Sequence, residues 1–279
     1  MSAVLLALSA SLIWGFADFG AGAAARRVPV FAVTAISQVA GLAFVGVIVL
    51  VSAESTPSAR QFTWAACAGV AGVVGLSFFY RALAVGTMGI VGPITATAAI
   101  VPLAYGLGRG ERPSTAQAVG VALAVVGVIA ASLEPQSEGG GRRLGIGVGF
   151  ALAAALLFGL ALVGLSRAAP GGVAWATLTM RMAAAPIALV LALTLQRRGP
   201  ASPRGWLLLA AVGIGDAGAT VLYGAATTRG LLSVVGVLSS LYPIVIVVLA
   251  RVFFAERVAR RQLGGVAVAL AGVALISAG

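Results

Sequence analysis

Two stretches of this chain carry nearly the same letters 145 positions apart: Glu111-Arg112 with Gln117, Gly120, Val121, Ala122, Ala124, Gly127 and Val128, then Glu256-Arg257 with Gln262, Gly265, Val266, Ala267, Ala269, Gly272 and Val273. In a chain of 279 residues, a copy at that distance means one half written twice. Further matches run in the same order: Trp14-Gly15 with Phe158-Gly159, Tyr80 with Tyr223, and Gly86, Val91 and Gly92 with Gly230, Val235 and Gly236, at offsets of 143 or 144.

The solvent for both halves is the bilayer. With 61% apolar and 9% charged residues and a mean hydropathy of +1.10, the chain has too little polar material to cover a water-facing globule. About 20 apolar residues at 1.5 Å rise cross the roughly 30 Å hydrocarbon layer. Runs of that kind lie near residues 3–25, 30–52, 62–84, 88–107 and 116–132, then 144–166, 173–195, 206–228, 231–251 and 262–278. The fold class expected is an all-α integral membrane protein of ten transmembrane helices, with the two copies at 1–135 and 136–279. An odd number of spans reverses the direction of insertion, so a second five-span copy lies upside down relative to the first. Inverted repeats of this kind build secondary transporters, with the substrate site near the midplane between the halves.

Several function classes are excluded or disfavoured. The connections are too short for a soluble catalytic or nucleic-acid-binding module. All eighteen basic residues of this chain of net charge +11 are arginine, and most sit at span ends, where they reach headgroup phosphates by snorkelling. Membrane lipid is thus an expected partner, and nucleic acid is not. The absence of lysine removes a P-loop, leaving facilitated diffusion or coupling to an ion gradient as the energy source. Without histidine and with Cys67 alone, neither a metal site nor a cofactor is expected. The first span lacks a basic n-region and reads as retained rather than as a signal peptide. An enzyme acting on lipid intermediates would need polar residues clustered at one interface, and these are scattered. If the amino terminus is cytoplasmic, the even-numbered loops carry five arginines inside and the odd-numbered loops ten outside, against the positive-inside preference. Ten spans require only that both termini share a side.

An ionised group inside a bilayer costs a few kcal/mol and is a functional candidate by default. Arg181 in the seventh span and Asp216 in the eighth lie at depths a long guanidinium can bridge. Arg181 either holds a substrate carboxylate in its planar fork or neutralises Asp216; Asp216 is either a proton carrier or that partner. Asp18 near the end of the first span either pairs with Arg81 or sits at a watered interface. Irregular backbone survives in a membrane only beside protein or a water cavity. The fourth span carries Gly92-Pro93, Thr95, Thr97 and Pro102, and the ninth Ser239, Ser240 and Tyr242-Pro243, so matched Pro-broken, hydroxyl-bearing segments point to a central binding site. Trp14, Tyr80 and Tyr223 either stack on a solute or pack. Glu111 and Glu256 read as markers of helix starts, and Gly120, Gly127, Gly265 and Gly272 as close helix packing.

These residues together resemble the EamA repeat of the drug/metabolite transporter superfamily. The likeness rests on Trp14-Gly15 in a small-residue first span, Arg181 in the second span of a repeat, Gly110-Glu111-Arg112 closing the fourth span, and Gln117 with Gly120 opening the fifth; the last two recur as Ala255-Glu256-Arg257 and Gln262 with Gly265. It covers essentially the whole chain. Ser37 and Gln38 stand where Arg181 stands in the other copy, and Phe158 stands where the family has Trp. The resemblance implies a small-solute exporter in the bacterial inner membrane, often of amino acids or related metabolites; drug export or passive facilitation is the alternative. Two complementary halves in one chain imply a working monomer.

Overall fold

Runs of twenty or more Ala, Leu, Val and Gly residues offer the backbone no polar partner but itself, and in hydrocarbon the α-helix is the local solution. The computed structural model describes residues 2–25, 27–52, 54–85, 94–132, 141–195, 199–200, 202–254 and 260–278, and these are helices joined by short connections. In chain order they are α1 (Ala3–Ala25), α2 (Val30–Val51), α3 (Ala59–Val85), α4 (Ile100–Gly108), α5 (Thr115–Ser132), α6 (Gly141–Ala168), α7 (Val173–Leu195), α8 (Pro203–Thr227), α9 (Leu232–Ser239), α10 (Tyr242–Phe254) and α11 (Arg260–Ala278). Six stretches are long and apolar enough to cross a membrane: Ala3–Ala25, Val30–Val51, Ala59–Phe79, Gly147–Gly171, Val173–Leu195 and Pro203–Thr227. Four apolar helical stretches are shorter: Ile94–Gly108, Thr115–Ala130, Leu232–Ile246 and Leu263–Ile276. Large apolar side chains such as Leu50, Val51, Leu207 and Val252 point outward, as a lipid-facing surface requires. The chain is a multi-pass membrane protein.

The Pro-broken span expected at 231–251 is two helices, α9 and α10. It breaks between Ser239 and Tyr242 because Pro243 has no N–H and its ring excludes the carbonyl four residues back. Ser240 and Leu241 tighten onto the Val237 and Leu238 carbonyls at 3.1 and 3.4 Å before α10 starts. In the matched stretch a 3₁₀ turn at Thr97–Ala99 precedes α4. The expected break around Gly86, together with Gly92-Pro93 and Glu256-Arg257, lies outside the described residues.

Local sequence explains where helices begin and end. Ser114 accepts from the Gln117 amide at 3.2 Å and Gln117 Oε1 accepts from the Ser114 amide at 3.0 Å, a reciprocal cap that starts α5. Ser58 and Gln61 do the same for α3. At the end of α4, Gly110 adopts φ +86°, and the Glu111 amide turns back onto the Gly106 carbonyl at 3.1 Å.

Close approach of small residues sets the packing. α1 lies against α8, α3 against α6, and α5 against α11, while α2 touches α7 and α8 and α3 touches α7. The contacts are reciprocal between matched positions. A Cβ on Gly127 would lie 2.7 Å from Ala269 Cα, and one on Gly272 2.6 Å from Ala124 N. A Cβ on Gly15 would lie 3.1 Å from the Tyr242 carbonyl, and one on Gly159 2.7 Å from the Ala98 carbonyl. In a bilayer, where burial of apolar surface does little to drive helix association, van der Waals contact at such residues holds helices together.

Candidate functional site

The site forms where α1, α2, α7 and α8 converge. A Cβ on Gly41 of α2 would lie 2.9 Å from the Gly213 carbonyl of α8, so these helices touch backbone to backbone, one turn from Gln38. Gln38 is thereby carried to the side of α7 that bears Arg181. Arg181, 4% exposed, meets Asp216 Oδ2 through Nη1 at 2.6 Å. The same Nη1 donates to Gln38 Oε1 at 2.8 Å, and Nη2 donates to Thr220 Oγ1 at 3.0 Å. Thr220, one turn after Asp216 on α8, donates in turn to the Asp216 backbone carbonyl at 2.7 Å. Asp216 Oδ1 accepts from Trp14 Nε1 of α1 at 3.0 Å.

Pairing neutralises two charges that would each be costly inside a membrane. The network is nevertheless incomplete. Arg181 Nε is buried without a hydrogen-bond partner, and the Asp216 side chain is 31% exposed while its partner is not. One N–H of the guanidinium is thus left unused while its other nitrogens are oriented by fixed acceptors.

The aromatic residues divide. Trp14 lies 5.9 Å from Tyr223 between ring centroids, tilted by 41°. Tyr223 is fully buried and donates to the Leu162 carbonyl at 3.2 Å, so it packs behind Trp14 and supports the indole from below. The side chain of Tyr80 lies outside the described residues.

Hydroxyls of the Pro-broken segments are used on backbone carbonyls. Thr97 donates to the Ile94 carbonyl at 2.6 Å, Ser240 to Gly236 at 2.8 Å, and Ser239 to the Ala7 carbonyl of α1 at 3.4 Å. Thr95, Ser239 and Ser240 are buried, and the Ser239 and Ser240 hydroxyls are used on backbone carbonyls. Tyr242, half-buried, starts α10 with its carbonyl against Gly15, next to Trp14.

Asp18 and Arg81 do not pair. Both side chains are exposed, and the helices that carry them pack on different neighbours: α1 on α8, α9 and α10, α3 on α6 and α7. Glu111 is more than a marker of a helix start. Its carboxylate crosses to α9 and accepts from the amides of Leu232 and Ser233 at 2.9 and 2.8 Å. Glu54, not singled out in the sequence, likewise accepts from Ala174 at 3.1 Å and Trp175 at 3.3 Å at the start of α7. Thr220, one turn beyond Asp216, is a further member of the network that the sequence does not single out. Among the described residues no group of three or more Cys, Asp or Glu side chains gathers where it could hold a metal.

This geometry can be set beside known proteins. The EamA-like transporter family matches residues 1–133 and again 145–278. A solved structure described only as a crystal structure of a protein shares the fold at a TM-score of 0.83, with 20% identity over 99% of this chain and 98% of that one. No curated protein matches the sequence. With both halves of the chain matched, the protein belongs to the EamA-like transporter family of the drug/metabolite transporter superfamily.

Proposed function

We propose that this transporter exports amino acids, or closely related carboxylate-bearing metabolites, by alternating access between two inverted five-helix halves, acting as a monomer in a bacterial inner membrane. The observation that carries the substrate class is Arg181: a buried guanidinium with an unpartnered Nε, set between Gln38, Thr220 and a half-open Asp216. A zwitterion supplies both charges that such a pair recognises. Its carboxylate is drawn to Arg181, and its ammonium to Asp216 as the two side chains part. The reciprocal contacts of matched glycines, and the four shorter apolar helices beside six long ones, support ten crossings with exchange of roles between the halves. Trp14 is the aromatic wall of this site, Gln38 its positioning group, and Asp18 an exposed carboxylate one turn beyond Trp14 on α1.

The deciding experiment is flux of labelled amino acids in proteoliposomes with and without a pH gradient. Saturable flux that is lost in Arg181→Gln supports the reading; no saturable flux of any amino acid overturns the substrate class. Flux indifferent to the gradient assigns facilitated diffusion.

A further inference from the structure

Away from the Arg181 network, a cavity of about 310 Å³ opens where the start of α3 meets the end of α6, lined by Ser58, Arg60, Gln61, Trp64, Arg167 and Pro170. Arg167 Nε is buried there without a hydrogen-bond partner. Among the described residues, the only ion pair is Arg181 with Asp216, so neither Arg60 nor Arg167 meets a carboxylate. The polar neighbours are committed elsewhere. Gln61 Oε1 accepts from the Ser58 amide and hydroxyl at 2.9 and 2.8 Å, and Glu54 is occupied by the amides of α7.

Two guanidiniums on one cavity without a counter-ion repel each other, and a buried donor left unpaired is unfavourable. A single anion with several oxygens relieves both. The surroundings say what that anion is attached to. Below Arg60, at helical spacing, Thr63, Cys67 and Val70 form an exposed stripe on α3; below Arg167, Leu160 and Leu156 do the same on α6. Trp64 stands among the cavity walls, an amphipathic ring of the kind favoured at headgroup level. Charged forks at one end of exposed stripes that turn apolar toward Val70, Leu160 and Leu156 match a molecule with an anionic head and hydrocarbon tails.

We propose that the Arg60–Arg167 cavity binds the phosphate of an anionic phospholipid, with the acyl chains lying along the exposed stripes of α3 and α6. The phosphate is shared by the two forks, and Arg167 Nε supplies the buried donor.

The test uses the full chain in nanodiscs of phosphatidylcholine, with and without phosphatidylglycerol, read by retained lipid in native mass spectrometry and by the unfolding temperature. The expected result is phosphatidylglycerol retained by the wild type, raising the unfolding temperature, with retention about tenfold weaker in Arg167→Gln, the loss of one charge-assisted contact. Should that variant not fold, Arg60→Gln, exposed at the cavity mouth, shows the same loss. Arg109→Gln, exposed at the end of α4, leaves retention unchanged. Equal retention by the cavity variants and the wild type overturns the proposal. So does inorganic phosphate added to phosphatidylcholine discs, if it gives the full Arg167-dependent shift while phosphatidylglycerol gives none, because the site then belongs to a soluble anion.

Discussion

Trp14 Nε1 donates to Asp216 Oδ1 at 3.0 Å while Arg181 takes the other carboxylate oxygen, so the acid is gripped from both matched halves of the chain at once. Asp216 therefore cannot change partners without one half releasing it.

Trp14→Phe isolates the indole N–H, since the ring against Tyr223 is largely kept. A hydrogen bond to a charged acceptor contributes roughly 1.5–3 kcal/mol, so amino-acid flux should fall by about tenfold or more if the grip is needed for turnover. Initial flux at saturating and limiting substrate checks this, and wild-type flux in the Phe variant argues against it.

Asp216→Asn leaves Arg181 charged and buried with amide and hydroxyl acceptors only. Breaking one side of a buried pair costs about 3 kcal/mol, the low end of the usual range being apt because Asp216 is 31% exposed. Unfolding by denaturant in detergent measures it. Arg181→Gln with Asp216→Asn should be more stable than Asp216→Asn alone, and a double variant no better than the single would sink the account.

Glu111→Ala bares the amides of Leu232 and Ser233. Loss of a charged cap costs about 1–2 kcal/mol, which predicts hydrogen exchange at those two amides faster by roughly five- to thirtyfold. Glu111→Gln, which keeps one acceptor oxygen, should fall between the wild type and Ala.

Gly127→Leu drives a side chain into Ala269 across the α5–α11 contact. Overpacking by a side chain typically costs about 1–3 kcal/mol and here meets backbone, so a loss at or above that range is expected. Gly22→Leu is the matched control, because a Cβ there meets nothing within 4 Å. Thermal unfolding of the two variants should separate them clearly.

Single cysteines at Ser2 and Ala278, in a Cys67→Ser background, should react with an impermeant thiol reagent from the same side of sealed vesicles. Reaction from opposite sides would mean an odd number of crossings.

The parts of this protein legible in sequence were those that hydrocarbon makes scarce. Arg181 and Asp216 stood out because ionised groups are rare in apolar runs, and the pair forms. Pro243 announced a break in the ninth span because a missing N–H acts locally. Partnerships that depend on which helix lies beside which were not legible: nothing in the letters places Trp14 of α1 over Asp216 of α8, or keeps Asp18 apart from Arg81. Glu111 is instructive in the other direction. Ser114 and Gln117 already cap α5 between them, so the nearby carboxylate was free for another helix. That spacing was readable, but its destination at α9 was not.

The reciprocal glycine contacts bear on energy balance. If the halves trade roles, every contact of the type Gly15–Tyr242 lost on one side is recovered in the type Gly159–Ala98 on the other. Identical halves would leave the two orientations equal in free energy, with no resting preference. Under the proposed alternating access, the unmatched letters, Arg181 against Ser37 and Trp14 against Phe158, would break that tie, and the residues that grip the acid would also set which way the empty carrier leans.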